Sequence, residues 1–351
     1  MADDDKSASP GGARLFRHTL VVMAGVAAGL ITWQLSHLLL LLFASVLAAL
    51  MFHDFAAALQ RWLKLPFGIA LTLAVILPLI VIIVIFGLFG NLMVGQFTAL
   101  TQQFPAALAS ARTWLRTTEI GREVINGLDG YAPEVGTVVG IVRATLANLG
   151  TGVSELAIVL VGGVYLGAQP GLYANGIINA AVGAGFPRTR EVADRLHNAL
   201  IAWLKGQAVG MAFVAVGTSI GLSIVGLPSA VAIGLVAGLC EFVPYLGVIL
   251  VSVPSVIIGF SMGVQTGIFT IIALVVVQQL QGNVVTPMAQ GKFADLPPAL
   301  TIFSLIAFAV LLGPLGIILA VPMTVVGMVL VRVAMEARVP SGSVPPAAGR
   351  R

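Results

Sequence analysis

The chain has 351 residues, of which 58% are hydrophobic and only 9% charged, and its mean hydropathy is +1.05. Soluble proteins average about 25% charged residues, so this composition excludes an ordinary soluble globular protein and indicates a polytopic membrane protein. The net charge of +4 does not indicate nucleic-acid binding, because the basic residues are scattered between apolar blocks and form no patch. An excess of Lys and Arg on the cytoplasmic side of a membrane accounts for the sign.

The first half of the chain alternates apolar and polar blocks. Residues 1–17 are polar and are predicted to form a disordered cytoplasmic N-terminus. Residues 18–97 have room for three transmembrane helices of about 20 residues or more, the first two turning near Ser36 and His37. Residues 98–150 regain charges and carry apolar residues at helical spacing, which predicts an extracytoplasmic amphipathic segment.

The second half begins with a fourth span over 151–174 and a cytoplasmic interfacial helix over 175–205, in which Glu191 and Arg195 have the i,i+4 spacing of an ion pair. Residues 206–335 are predicted to form spans five to eight, near 206–226, 228–260, 264–283 and 299–335. The sixth and eighth are too long for simple crossings and contain helix breakers at Pro244 and at Gly313-Pro314. Residues 336–351 form a disordered cytoplasmic tail.

Basic residues predict the orientation. They are concentrated in the N-terminus, the loop with Arg61 and Lys64, the 175–205 segment and the tail. Eight crossings place all four on the cytoplasmic side and leave 98–150 and 284–298 outside. The predicted fold class is therefore all-α, a polytopic transmembrane bundle of about eight spans with broken helices or hairpins in its C-terminal half.

Glycine pairs with i,i+4 spacing let transmembrane helices approach closely. We expect most of them to pack helices within one subunit, with contact between subunits as the alternative. The pairs are Gly206/Gly210, Gly217/Gly221, Gly234/Gly238 and Gly259/Gly263.

The strongest candidate site is the run from Glu241 to Gly247, which holds Pro244 and Tyr245. Proline opens the helix, and an opened helix persists in a membrane only where it is buried in protein or lines a polar cavity. An ionisable group at membrane depth is a functional hypothesis by default, so Glu241 is predicted to carry a proton, bind a cation or anchor a solute. The alternative is a structural glutamate that bonds to a neighbouring helix.

A group of amides forms the second candidate. Gln278, Gln279, Gln281 and Asn283 end an apolar helix just before Pro287, and Gln279 and Asn283 share a helical face. They either line a path for a polar solute or bond between helices. Glu155, early in the fourth span, is a third candidate, with a position at the lipid headgroups as its alternative. Lys205 is interpreted as a membrane-surface anchor.

Enzyme motifs are nearly absent. The stretch from Gly217 to Gly221 matches a nucleophile elbow, but it lies inside a transmembrane helix where the strand–turn–helix context is missing. The four histidines have no metal-ligand spacing, and no phosphate-binding loop for ATP is present. We therefore expect neither an enzyme nor a cofactor.

Three stretches resemble the AI-2E family, the autoinducer-2 exporter family of bacterial membrane proteins. They are LKGQ (Leu204–Gln207) with GLPSAVAIGLVAGLCEFVPYLG (Gly226–Gly247), QQLQGNVVTPMAQGKFADLPPAL (Gln278–Leu300) and LLGPLGIILAVP (Leu311–Pro322). A weaker match is LLFASVLAALMFHDF (Leu41–Phe55). The sequence departs from many relatives in YLGAQPGLY (Tyr165–Tyr173), where they carry an Asp-Gly pair, and at the position of Glu241, which is often Asn in them.

The resemblance implies an eight-helix permease of the bacterial inner membrane that assembles as a homo-oligomer such as a pentamer. It also implies a branch that exports autoinducer-2 or one that exchanges sodium or lithium for protons. A gating or structural role is expected for residues at the helix breaks and in the matching stretches: Gln207, Gly226, Pro228, Gly282, Gly291, Asp295, Gly313 and Pro314.

Three functions remain open from the sequence. The leading one is a secondary transporter that exports a small polar solute along a path lined by Glu241, Tyr245, Gln279 and Asn283. The second is a monovalent cation/proton antiporter that uses Glu241, with Glu155 as a further carboxylate. The third is an oligomeric channel or scaffold in which the polar groups only join helices.

Overall fold

The computed structural model describes residues 33–84, 149–183, 185–290 and 297–338, with isolated helical positions between 19 and 31 and at 87. Within these ranges the backbone is helical apart from short connections and contains no strand, which confirms the all-α bundle. The helices are α1 Ser36–Leu63, α2 Phe67–Val84, α3 Leu149–Ala168, α4 Pro170–Gly183, α5 Thr189–Val225, α6 Ala230–Cys240, α7 Leu246–Met262, α8 Val264–Leu280, a π-helix Gln281–Val285, α9 Thr286–Gln290 and α10 Pro298–Arg338.

Helices α1 and α3 run side by side in the same direction. His37 lies 3.3 Å from Glu155 near their starts, and farther along His53 Nδ1 lies 3.2 Å from the Gly167 carbonyl oxygen. Between these points glycines of α3 face Ser45 and Ala49, so the two backbones approach closely. The turn predicted near Ser36 is wrong: amide–carbonyl bonds from Leu35 to Ile31 and from Leu39 to Leu35 carry the helical path through this point without a reversal.

Helix α5 unites two elements that the sequence predicts as separate. The polar segment expected as an interfacial helix continues into the fifth span as one helix of 37 residues. At 1.5 Å per residue it is about 55 Å long, so its charged first turns extend beyond a hydrocarbon layer of about 30 Å. No proline lies between Thr189 and Val225, so the helical hydrogen bonds can continue past Lys205 into the apolar part.

Ion pairs identify one end of the bundle, called here the Lys205 end. Arg195 forms the predicted pair with Glu191 at 2.7 Å and a second one with Glu336 near the end of α10, also at 2.7 Å. Lys205 lies 3.1 Å from Asp54 of α1. The C-terminal ends of α1 and α10 therefore lie beside the start of α5, as the basic-residue pattern predicts. Such solvent-exposed pairs contribute little to the stability of the fold.

Helices α6 and α7 form a hairpin, called here hairpin 1, that enters the bundle from the opposite end. Gly234 and Gly238 of α6 lie against Ser219, Ala215 and the Met211 carbonyl of α5, so α6 returns antiparallel to α5. A Cβ atom on Gly247 would strike the Ala237 carbonyl oxygen, which shows that α7 folds back directly against α6. With 11 and 17 residues, both arms are short for a full crossing.

Helix α8 returns to the Lys205 end. A Cβ on Gly221 would contact Ala273, one on Gly217 would contact Val277, and one on Gly210 would lie 3.5 Å from Gln281 Nε2. These matched pairs make α8 antiparallel to α5. The glycine pairs thus pack helices within this chain, as expected.

Helix α10 contains a second reversal, called here hairpin 2. Gly313 has φ 69° and ψ −152°, and a Cβ on Gly316 would strike the Phe308 carbonyl oxygen, which lies far away in a straight helix. The break predicted at Gly313-Pro314 is confirmed. Since Glu336 lies at the Lys205 end, the second arm of hairpin 2 leaves the bundle at that end.

This arrangement corrects one part of the predicted topology. The segment 284–298 was expected on the side opposite 175–205, but α9 continues α8 toward the Lys205 end and packs on α5. The physical reason is that a hairpin leaves the membrane on the side where it entered. Two crossings and two hairpins therefore satisfy the same basic-residue pattern as four crossings.

Cysteine labelling tests the corrected topology. In a Cys240→Ser background, a membrane-impermeant maleimide should label Met288→Cys from the same side as Trp62→Cys, and Met262→Cys from the other side; these side chains are 80%, 88% and 51% exposed. In the eight-crossing arrangement, Met288→Cys would instead lie on the side opposite Trp62→Cys, and Met262→Cys would lie on the same side as Trp62→Cys. Labelling of Met288→Cys from the Met262 side would therefore contradict the hairpins.

Candidate functional site

The tip of hairpin 1 is built by the residues that follow α6. Pro244 has no amide hydrogen to continue a helix, and Tyr245 adopts φ 69°, a left-handed conformation that is uncommon outside glycine. The chain can therefore turn between Glu241 and Leu246 and start α7 in the reverse direction. The helix break predicted at Pro244 is confirmed.

Glu241 is fully buried at this tip, with 0% of its surface exposed. Its carboxylate lies at the N-terminus of α7, where Oε1 accepts a hydrogen bond of 3.2 Å from the Tyr245 amide. A helix N-terminus favours negative charge and supplies unpaired amide groups, so this placement stabilises the carboxylate. Its second oxygen, Oε2, is buried and has no hydrogen bond of normal geometry in the described structure, although the Gly247 and Val248 amides also interact with the carboxylate.

Gln207 joins the tip to α5. Its side chain is 4% exposed, and its Nε2 donates a hydrogen bond to the main-chain carbonyl of Glu241. The opened helix leaves this carbonyl at membrane depth, where an unpaired polar group is expensive. Gln207, expected to be a gating or structural residue, thus contacts the Glu241 segment directly.

Apolar contacts bring the two hairpins together. The Trp203 ring packs edge-on against Phe242, with ring centroids 5.7 Å apart. Leu312 and Leu315, which flank the Gly313 break, pack on the same hydrophobic cluster around Trp203. The tip of hairpin 1 and the reversal of hairpin 2 therefore pack against the same hydrophobic cluster. Trp203 is not among the site residues predicted from the sequence.

The amides at the end of α8 and in the following π-helix are divided between two surfaces. Gln281 is buried against α5 near Gly210, and Gln278 has a buried Oε1 without a partner in the described residues. Gln279 and Asn283 are exposed and contact each other at 3.5 Å. The structure therefore does not bring Gln279 and Asn283 together with Glu241 inside one chain.

A π-helical turn follows α8 and was not predicted. The Thr286 amide and its Oγ1 both donate to the Gln281 carbonyl, five residues earlier, and Pro287 cannot donate to the carbonyl of Asn283. π-Turns inside helices are rare and frequent at functional sites. Pro287 was the sequence feature that indicated a change in the helix at this point. The structure has a π-helical turn there, which is wider than an α-helical turn, and the chain does not reverse direction.

The remaining candidates lie apart from the tip. Glu155 is near His37, at the end of the bundle opposite Lys205. Gly226, with φ 83°, ends α5, and the exposed Pro228 follows in the turn to hairpin 1. Pro314 and Gly282 are exposed. Gly291, Asp295 and residues 98–148 of the predicted amphipathic segment lie outside the described residues, whereas residues 149 and 150 belong to α3.

Replacing Gln207 by leucine tests its structural contact. The Glu241 carbonyl would lose its donor, and an unsatisfied buried polar group costs about 1–3 kcal/mol. We expect a matching loss in the free energy of unfolding in detergent. Gln265→Leu is the control, because this amide of α8 is exposed, and it should change stability by less than about 0.5 kcal/mol. Equal effects of the two substitutions would contradict the assigned contact.

In membrane transporters, helices that cross the membrane commonly surround broken helices, and the breaks carry buried polar side chains. The chain belongs to the AI-2E transporter family, whose profile matches residues 20–336.

Individual relatives agree with this family membership. The chain is 24% identical to MT0215 of Mycobacterium tuberculosis over 91% of its own length and 90% of the relative. It is 38% identical to YueF of Bacillus subtilis, although that match covers 38% of this chain and 36% of YueF. It is 28% identical to the AI-2 transport protein TqsA of Escherichia coli over 29% of each chain. The matches to YueF and TqsA thus span well under half of those proteins.

Proposed function

We propose that this protein is a secondary transporter of the bacterial inner membrane, with both termini cytoplasmic, that exports a small polar solute such as an autoinducer-2-like signal. The observation that carries the proposal is the buried polar tip of hairpin 1, where Glu241 and Gln207 meet between α5 and α7. Polar groups at this depth are costly, and transporters place their solute sites on such broken helices. The name of TqsA supports the solute class.

The solute path would follow the polar face of α5. Gln207 and Thr218 lie eleven residues apart, three helical turns, and so share one face, and Gln281 packs on the intervening turn at Gly210. Buried oxygens without partners remain on Thr218, Gln278 and Glu241. A polar solute or water would satisfy them during transport. The hydrophobic cluster around Trp203 closes this route, so hairpin 1 must shift to open it.

A second function, monovalent cation/proton antiport, is favoured by the unpartnered Oε2 of Glu241. A buried carboxylate oxygen can accept either a proton or a sodium or lithium ion, but not both at once. Alternate occupancy of this oxygen would couple the two fluxes. Glu155 is less suited to this role, because it is partly exposed and already faces His37.

A homo-oligomer is part of the proposal. Gln279 and Asn283 are exposed on the single chain at the end of an apolar helix, where contact with hydrocarbon is unfavourable for amides. A neighbouring copy would cover them, and interhelical amide bonds join transmembrane helices. These residues would then stabilise subunit contacts.

Reconstituted liposomes test the function. We expect protein-dependent efflux of a labelled autoinducer-2-type furanosyl solute that is not accompanied by sodium-dependent pH change. A sodium- or lithium-driven pH change reported by an internal dye, without solute efflux, would replace export by antiport. Neither flux in a well-folded preparation would overturn both and favour the channel or scaffold hypothesis.

A further inference from the structure

Helices α5 to α8 enclose an interior of their own. Helix α5 packs on α6 and α8, and α7 packs on the same two helices, so α5 and α7 face each other across this interior. One hydrophobic cluster draws buried residues from all four helices and marks the space that they share. Its members are Val214 and Leu222 of α5, Leu227 of the following turn, Ala230, Ile233 and Ala237 of α6, Val251 of α7 and Leu274 of α8.

Three buried hydroxyl side chains lie on the helical faces that line this interior. Each is four residues from a member of the cluster and therefore shares its face of the helix. They are Thr218 of α5, four residues after Val214, Ser255 of α7, four residues after Val251, and Thr270 of α8, four residues before Leu274. Their exposed fractions are 1%, 0% and 0%. Three different helices thus each contribute a hydroxyl to an otherwise apolar interior.

Contacts between the helices give the order of these hydroxyls along the interior. A Cβ on Gly259 of α7 would lie 2.6 Å from Thr270 Oγ1, so Ser255 is one turn, about 6 Å, nearer to the tip of hairpin 1 than Thr270 is. The residue three positions after Thr270 packs at Gly221 of α5. Ser255 is therefore within one turn of the level of Thr218. The hydroxyls continue from the tip of hairpin 1 toward the opposite end of the bundle.

The hydroxyl hydrogens of Ser255 and Thr270 are already used within their own helices. Ser255 Oγ donates to the Val251 carbonyl at 2.6 Å, and Thr270 Oγ1 donates to the Thr266 carbonyl at 2.8 Å. A hydroxyl has a single hydrogen but two lone pairs. Both oxygens can therefore only accept a further hydrogen bond, and a solute that passes them must supply the donor.

We propose that Ser255 and Thr270 select an uncharged solute rich in hydroxyl groups and exclude its anionic forms, an inference that rests on the transport function proposed above. Hydroxyls of the solute donate to these two oxygens when hairpin 1 shifts, because this hairpin supplies two of the four walls. Among the described residues 206–289, Glu241 is the only charged one, so this interior offers no cation to an anion. An unpaired anion is costly to desolvate.

Competition in liposomes tests the solute class. The wild-type protein should release the labelled furanosyl solute more slowly when an excess of the same unlabelled, uncharged solute is loaded with it. An equal excess of its phosphate monoester should leave the release unchanged. Equal inhibition by the phosphate would overturn the selectivity. Absence of any release by a well-folded wild-type protein would overturn the proposed function, and this inference with it.

Substitutions test the two hydroxyls. Ser255→Ala and Thr270→Ala should each raise the KM for the uncharged solute about fivefold, the effect of one lost hydrogen bond. Thr270→Ser keeps the hydroxyl and should recover most of the affinity that Thr270→Ala loses. Ser261→Ala is the matched control and should leave the KM unchanged, because this exposed serine of α7 also donates to its own helix, to the Ile258 carbonyl at 2.7 Å.

The outcome of these substitutions is separate from that of the proposed function. If the wild-type protein releases the solute but both alanine variants keep its KM, the assignment of the two hydroxyls is wrong and the transport function stands. Equal KM values for Thr270→Ser and Thr270→Ala would also overturn the assignment, since they would show that only packing matters. The Thr270 pair decides alone if Ser255→Ala does not fold.

Discussion

In the antiport mechanism, replacing Glu241 with glutamine is expected to reduce cation-coupled proton flux to the level of protein-free liposomes while the fold is retained. Glutamine has nearly the same size and keeps an oxygen that can accept the Tyr245 amide, so the start of α7 stays capped. It cannot, however, bind and release a proton. The neutral amide also lacks the charge with which Oε2 would hold a monovalent cation.

The same substitution separates the two proposed functions. If the protein exports a neutral polar solute, Glu241→Gln should leave efflux within a few-fold of wild type, because an amide still forms hydrogen bonds. Glu336→Gln is the matched control: it removes a carboxylate from an exposed pair with Arg195 and should change neither flux. If a well-folded Glu241→Gln protein retains full cation and proton flux, the carboxylate is only a helix cap.

The helix breaks could be predicted from the sequence because proline and glycine act locally. Pro244 and Gly313 each interrupt a long apolar run, and the structure reverses the chain at both. Whether the chain then crosses the membrane or returns depends on contacts between distant residues, such as Gly247 with Ala237. No local pattern records these contacts. The basic residues do not help, because they lie in the same places for either topology.

The membrane also limits prediction of the site. In α8 every residue from Ile268 to Val277 except Thr270 is apolar, so periodicity cannot tell which face is buried. The four-residue spacing of Gln279 and Asn283 predicts a shared face, and the structure agrees, but this face is exposed. Gln281 is buried instead, through its packing at Gly210. Glu241 could be singled out because a lone carboxylate in an apolar run needs a partner or a function.

Replacing Gly247 with alanine is expected to be among the most destabilising single changes in the described chain. The new Cβ would strike the Ala237 carbonyl oxygen and would lie 2.9 Å from the Glu241 amide nitrogen, both main-chain atoms that cannot rotate away. It would also approach Glu241 Oε2 at 2.8 Å. Overpacking of this kind costs about 1–3 kcal/mol or more. The arms of hairpin 1 would have to separate, which also weakens the bond from Gln207.

Whether Gly247→Ala raises or lowers the stability of the protein shows whether α6 and α7 are closely packed. Gly247 is the second residue of α7, and alanine is normally better in a helix than glycine by about 0.5–1 kcal/mol. Gly327→Ala in α10 provides the matched control, since nothing lies within 4 Å of its added Cβ, and it should leave unfolding in detergent unchanged or slightly harder. If Gly247→Ala behaves like this control and keeps wild-type transport, α6 and α7 are not closely packed, and the buried placement of Glu241 at their junction is wrong.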